Sequence, residues 1–239
     1  MKEGKIMPLN TDWTVFGTAV ADRLTTATTI REMNFSATST QENATAAVPA
    51  GIPIIGTGTA HLRVGGGAMN VIPTFPGALA TERGLVAGKI RTLMKWRDFG
   101  GVSYFGLMAL QSALDMTTGT HNAYVLACST LFFQNRIHIG QMDNSVLGSW
   151  SSLASSPINA FMDGVSLAIE FEWDASSGTS VLLTVRTGSA LDFSNLADIL
   201  SFTDVVNPHV TSVAEGFWGA RLSGGVDVYW DDMTIFKKS

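Results

Sequence analysis

The chain has 239 residues, a net charge of −5, one cysteine and a charged fraction of only 15%. The negative balance excludes the basic footprint of a protein that wraps nucleic acid, and a single cysteine excludes an intrachain disulfide. With 24 glycines and few Glu, Lys or Arg residues, the composition disfavours long exposed helices and favours short strands joined by tight turns. At this length about 70% of the unfolded surface can be buried, so a core needs no help from metal or disulfide.

The first ten residues lack an apolar h-region and a cleavage pattern, so no secretory signal is expected there. Residues 1–30 read as an N-terminal arm or an edge strand. Residues 24–29 are threonine-rich, and Trp13, Phe16 and Leu24 are the apolar positions suited to assembly. Residues 31–239 read as one β-sandwich domain. The richest apolar stretch, 48–80, is broken by Pro49, Pro53, Pro73 and Pro76, so no membrane partner is expected. Gly65-Gly66-Gly67 lacks the lysine and Ser/Thr of a phosphate loop and reads as a turn.

Residues 89–97 form a strand pattern. Ile90, Met94 and Trp96 take one face, and Lys89, Arg91, Lys95 and Arg97 take the other with Leu93. The charged row is expected to meet acids on an adjacent strand or subunit. After the Asp98-Phe99-Gly100-Gly101 turn, residues 102–110 are apolar on both faces, as a strand covered on both sides would be. Cys128 lies in an apolar run and reads as a buried small hydrophobe. Residues 131–142 read as a further strand, with Leu131, Phe133, Ile137 and Ile139 inward and Gln134, Arg136 and His138 outward. Residues 143–145 and 149–156 read as irregular.

The clearest strand is 165–173. Val165, Leu167, Ile169, Phe171 and Trp173 alternate with Ser166, Ala168, Glu170 and Glu172. A turn at 174–179 leads to a second strand with Val181, Leu183 and Val185 inward, which makes a hairpin. Leu196, Ile199 and Leu200 fall at helical spacing, so a short helix is expected over 194–201. In the last strand, 226–236, Val226, Val228 and Trp230 are out of phase with Met233 and Ile235. That slip predicts a β-bulge near Asp231-Asp232. Together these elements predict an all-β, two-sheet antiparallel sandwich.

From Gly88 onward the strand pattern resembles the concanavalin A-like lectin/glucanase superfamily. The likeness lies in the charged strand 89–97 with its Gly-rich turn, the hairpin 165–186, and the closing Gly216-Phe217-Trp218-Gly219 before 226–236. It implies a jelly-roll sandwich. The Ala/Thr/Gly-rich region before Gly88 resembles phage capsid-decoration or tail proteins. That likeness implies a virion structural protein, made in the host cytoplasm and carried in the particle as an oligomer, a trimer by the family's habit. Its partners would be other copies of itself and major capsid or tail proteins.

Superfamily glucanases carry acids spaced as Glu-x-Asp-x-Glu, or with one extra residue before the last acid, whereas this chain reads Glu170-Phe171-Glu172-Trp173-Asp174. Each acid swap moves a carboxylate by a methylene, which catalytic geometry tolerates badly. No catalytic residue is therefore expected. Asp227, Asp231 and Asp232 are candidates for a structural calcium, with bulge acids capping backbone N–H groups as the favoured alternative; no other cofactor is expected. His61, His121, His138 and His209 lack metal-ligand spacing. The expected function is a non-catalytic capsid decoration or cement protein. The alternative is a lectin-like module whose Trp150, Trp218 and Tyr229 stack on sugars, and a glucanase-like hydrolase ranks third.

Overall fold

A computed structural model of the chain describes residues 13–19, 62–63, 68–71, 84–98, 102–113, 119–130, 134–146, 149–223 and 226–238. For 13–19, 62–63, 68–71, 96–98, 102–103, 214, 217–223 and 226–234, the description covers backbone pairing only. The described residues hold strands and turns and no helix. In chain order the strands are β1 (Trp13–Ala19), β2 (Leu62–Arg63), β3 (Ala68–Val71), β4 (Ala87–Asp98), β5 (Val102–Gln111), β6 (His121–Ser129), β7 (Arg136–Ser145), β8 (Ser151–Ser155), β9 (Ser166–Asp174), β10 (Val181–Gly188), β11 (Ala197–Asp204), β12 (Ala214–Ser223) and β13 (Val226–Lys238).

They form two antiparallel sheets. A seven-stranded sheet runs β1-β13-β4-β9-β10-β11, with β2 also on β13, and a six-stranded sheet runs β3-β12-β5-β6-β7-β8. The expected sandwich is what the chain forms. Alternation sends Ile90, Phe105, Leu107, Leu126, Ile139, Ile169, Phe171, Trp173, Leu183 and Val185 into one core between the sheets. Burying side chains of this size contributes about 1.5–3 kcal/mol each. Trp173 settles its polar end by donating its indole N–H to the Leu85 carbonyl at 2.8 Å. Tyr124 of β6 donates to Asp204 of β11 at 2.5 Å, a polar tie from one sheet to the other. Cys128 is fully buried against Met94, and burial pushes its thiol pKa up, so it is an inert core residue.

Both sheets also carry apolar cover on their outer faces. Phe193 and Leu196, in the β10–β11 connection, pack over Leu93 and Ala168. Tyr104, Ala113 and Trp150 pack against Met108, Ala123, Val125, Ala127 and Met142 on the six-stranded sheet. This double burial is why β5 is apolar on both faces.

Several expectations need correction. Val165 is 48% exposed rather than inward, because it sits in the turn before β9, its N–H donating to the Met162 carbonyl. Residues 197–201 are strand, not helix. Leu200 pairs with Val185 and Asp198 with Arg186, so Ile199 is the extra residue of a bulge. Ile199 and Leu200 both pack on the core as a result, which imitates helical spacing. Of the strand expected over 131–142, the described part begins at Arg136, just after Asn135 with its φ of 45°. Leu131 and Phe133 lie outside the described residues. Residues 143–145 complete β7, and the Ser/Ala run contains the edge strand β8.

The bulge in the last strand is present: Asp231 pairs with Leu93 and Thr234 with Arg91, so Asp232 and Met233 oppose the single residue Thr92. At the sheet edge β1 pairs with β13, and Phe16 falls where the register shifts between Val15 and Gly17. The threonine-rich 24–29 with Leu24, the glycines 65–67 and His61 lie outside the described residues.

Candidate functional site

The acidic row of β9 faces away from the core and is tied up in ion pairs. Glu170 is 2% exposed and accepts from Arg91 Nη2 at 2.6 Å and Arg186 Nη1 at 2.7 Å, with Lys89 Nζ at 3.6 Å. Burial alone would raise its pKa. The Lys89 and Arg91 charges and the guanidinium hydrogen bonds outweigh that and hold it below the ordinary carboxylate range. Glu172 accepts from Arg186 at 2.5 Å, and Asp174 pairs with Lys238 while capping Ser176. A glycosidase acid needs a raised pKa, and Glu170 has the reverse. The cations Lys89 and Arg91 thus meet an acid on the adjacent strand, as their row suggested.

Among the described residues, no group of three or more His, Cys, Asp or Glu side chains is placed to hold a metal ion. The calcium candidates Asp227, Asp231 and Asp232 lie on β13, where the backbone alone is described. The same holds for Trp218, paired with Gly106, and Tyr229, paired with Lys95 and Arg63, and for Trp13 and Phe16 on β1.

Trp150 can be placed in full, and it centres a polar–aromatic patch. Ile137 and Ile139 turn inward, so Arg136, His138 and Gly140 of β7 share the outer face of the six-stranded sheet. Trp150, at the end of the β7–β8 connection, folds back onto that face. Gly140 admits it: a Cβ there would meet Trp150 Cζ3 at 2.9 Å. The Trp150 ring centroid lies 5.2 Å from Tyr104 and 5.3 Å from His138, both edge-on. His138 Nδ1 and Ser152 Oγ are 3.0 Å apart, and burial together with the Arg136 charge lowers the His138 pKa, favouring the neutral ring. Arg136 is held by Gln134 and the Ser156 carbonyl. Trp150, Tyr104, His138 and Arg136 are all half-buried, and Ser152 and Gln134 are exposed.

The two sheets match those of solved carbohydrate-recognition domains. The fold is a concanavalin A-like jelly-roll sandwich. The carbohydrate recognition domain of Emp46p, in its potassium-bound form, superposes with a TM-score of 0.59 at 9% identity, covering 95% of this chain and 99% of that one. The exoplasmic/lumenal domain of VIP36, in its Ca2+/Man3GlcNAc-bound form, gives 0.58 at 10% identity, covering 95% and 90%. The PL-14 alginate lyase from Aplysia kurodai gives 0.52 at 10% identity, covering 93% and 98%. No family model and no curated protein sequence matches the chain.

On this concanavalin A-like frame, sequence reasoning named Trp150 but not its neighbours. His138 and Arg136 were legible as the outward face of their strand. Tyr104 and Gly140 carried no signal of their own, because their place beside Trp150 depends on how β5, β6 and β7 are ordered.

Proposed function

We propose that this domain binds carbohydrate without transforming it, on the outer face of the six-stranded sheet around Trp150. The observation that carries the reading is the patch itself. An indole flanked by Tyr104 and His138 offers apolar surface for the C–H face of a sugar ring. Ser152, Gln134, Arg136 and His138 offer hydrogen-bonding groups around it for hydroxyls. Domains of the same fold support the reading, since that of VIP36 was solved with Man3GlcNAc bound and that of Emp46p is a carbohydrate recognition domain. The engagement of Glu170, Glu172 and Asp174 in ion pairs supports a binding rather than a hydrolytic role.

The capsid-decoration role suggested by composition rests on no named feature of the described surface, so glycan binding takes first place. A glycan array tests it. The wild-type protein should retain a defined set of oligosaccharides, and Trp150→Ala should lose that set while keeping the wild-type circular dichroism spectrum. An array with no hits, or hits untouched by Trp150→Ala, overturns the assignment.

A further inference from the structure

Among the described residues the arginines fall into two kinds. Arg91 and Arg186 are clamped to Glu170, and Arg186 also reaches Glu172 and Asp198. Arg136 differs. Its Nε donates to Gln134 Oε1 at 2.9 Å and its Nη1 to the Ser156 carbonyl at 3.2 Å, and both acceptors are neutral. Among the described residues no carboxylate lies within ion-pair reach of Arg136, and its Nη2 makes no hydrogen bond. The guanidinium is therefore positioned in advance, half-buried, with its charge uncompensated. A held guanidinium loses little rotamer freedom when it takes an anion, and its planar fork matches a carboxylate.

Its place in the fold gives the charge a use. Arg136, His138 and Gly140 stand at successive outward positions of β7, and Trp150 covers Gly140. Four residues of extended strand span about 13 Å, the reach of a short oligosaccharide. His138 sits between the two ends, close enough to Arg136 to sense its charge and 5.3 Å from the Trp150 ring. From this juxtaposition we infer that the patch takes an acidic oligosaccharide: a uronate carboxylate pairs with Arg136 while a neighbouring sugar ring packs against Trp150. The inference rests on the glycan reading of the same patch and names its ligand class.

The test compares a tetrasaccharide of galacturonic acid with its carboxyl-reduced, neutral counterpart, by titration calorimetry at low salt. The wild-type protein should bind the acidic chain about tenfold more tightly, a preference that added salt erodes. Arg136→Gln should abolish the preference by weakening the acidic chain far more than the neutral one, whereas Arg136→Lys should keep part of it. Trp150→Ala should weaken both chains. Equal wild-type affinity for the two chains overturns the inference, and needs no variant to fold. If Trp150→Ala still weakens the neutral chain in that case, glycan binding stands without the acidic preference. If neither chain binds the wild-type protein and no other glycan does, the glycan reading falls and takes the inference with it.

Discussion

Glu170 shows how a single buried carboxylate is kept charged in this fold. Three cations from two neighbouring strands surround it, and it is almost inaccessible to water. Removing one partner of a fully buried pair costs about 3–5 kcal/mol, but the guanidiniums here are about a quarter exposed and partly screened. Glu170→Gln should therefore cost about 2 kcal/mol near neutral pH, measured by chemical denaturation. The sign with pH follows from the depressed pKa. The stabilisation is complete above the unfolded carboxyl value of 4.5 and is lost as pH falls through the lower folded value. Stability curves of wild type and variant should thus converge on acidification below about pH 4.5; a gap that widens there would contradict the ion-pair account. Gly140 gives a second test at this scale. Gly140→Ala pushes a methyl into Trp150, and should cost about 1–3 kcal/mol in denaturation and weaken any glycan bound by the wild-type protein. An unperturbed Gly140→Ala protein would mean that Trp150 does not lie over β7. The acids of β9 were legible in the sequence as an alternating face. Their neutralisation was not, because Arg91 lies 79 residues from Glu170 and Arg186 lies 16.

Strands that alternate strictly were readable, and strands covered on both faces were harder. The β9–β10 hairpin announces itself through Ile169, Phe171, Trp173, Val181, Leu183 and Val185, all fully buried. Phe171→Ala should cost about 3–5 kcal/mol, the usual penalty for emptying a core aromatic site. Val165→Ala, at an exposed position, should stay within about 0.5 kcal/mol of wild type. Similar losses at the two sites would contradict the register of β9. By contrast β6 has no polar face to betray its period, since Tyr124, Leu126 and Cys128 face the core and Val125 and Ala127 face the outer cover. The β11 bulge likewise puts two successive residues on the core and disguises strand as helix. In both cases tertiary covering or register, absent from any local window, decided the outcome.

At the scale of the whole molecule, the outer faces of the two sheets differ. The seven-stranded sheet carries a closed salt-bridge network on β4, β9 and β10. The six-stranded sheet carries the patch of Trp150, Tyr104 and His138, flanked by the uncompensated Arg136. The fold class was legible because hydrophobic period and turn chemistry agree along the chain. The binding face was not, because it draws residues from β5, β7 and the β7–β8 connection onto one surface. The most direct test of the central claim is an amide and indole chemical-shift titration of the labelled protein with oligosaccharides retained on the array. The account predicts that the perturbed resonances cluster at His138, Gly140, Trp150 and Ser152. Shifts confined to the seven-stranded sheet, or no shift at these four residues, would contradict it.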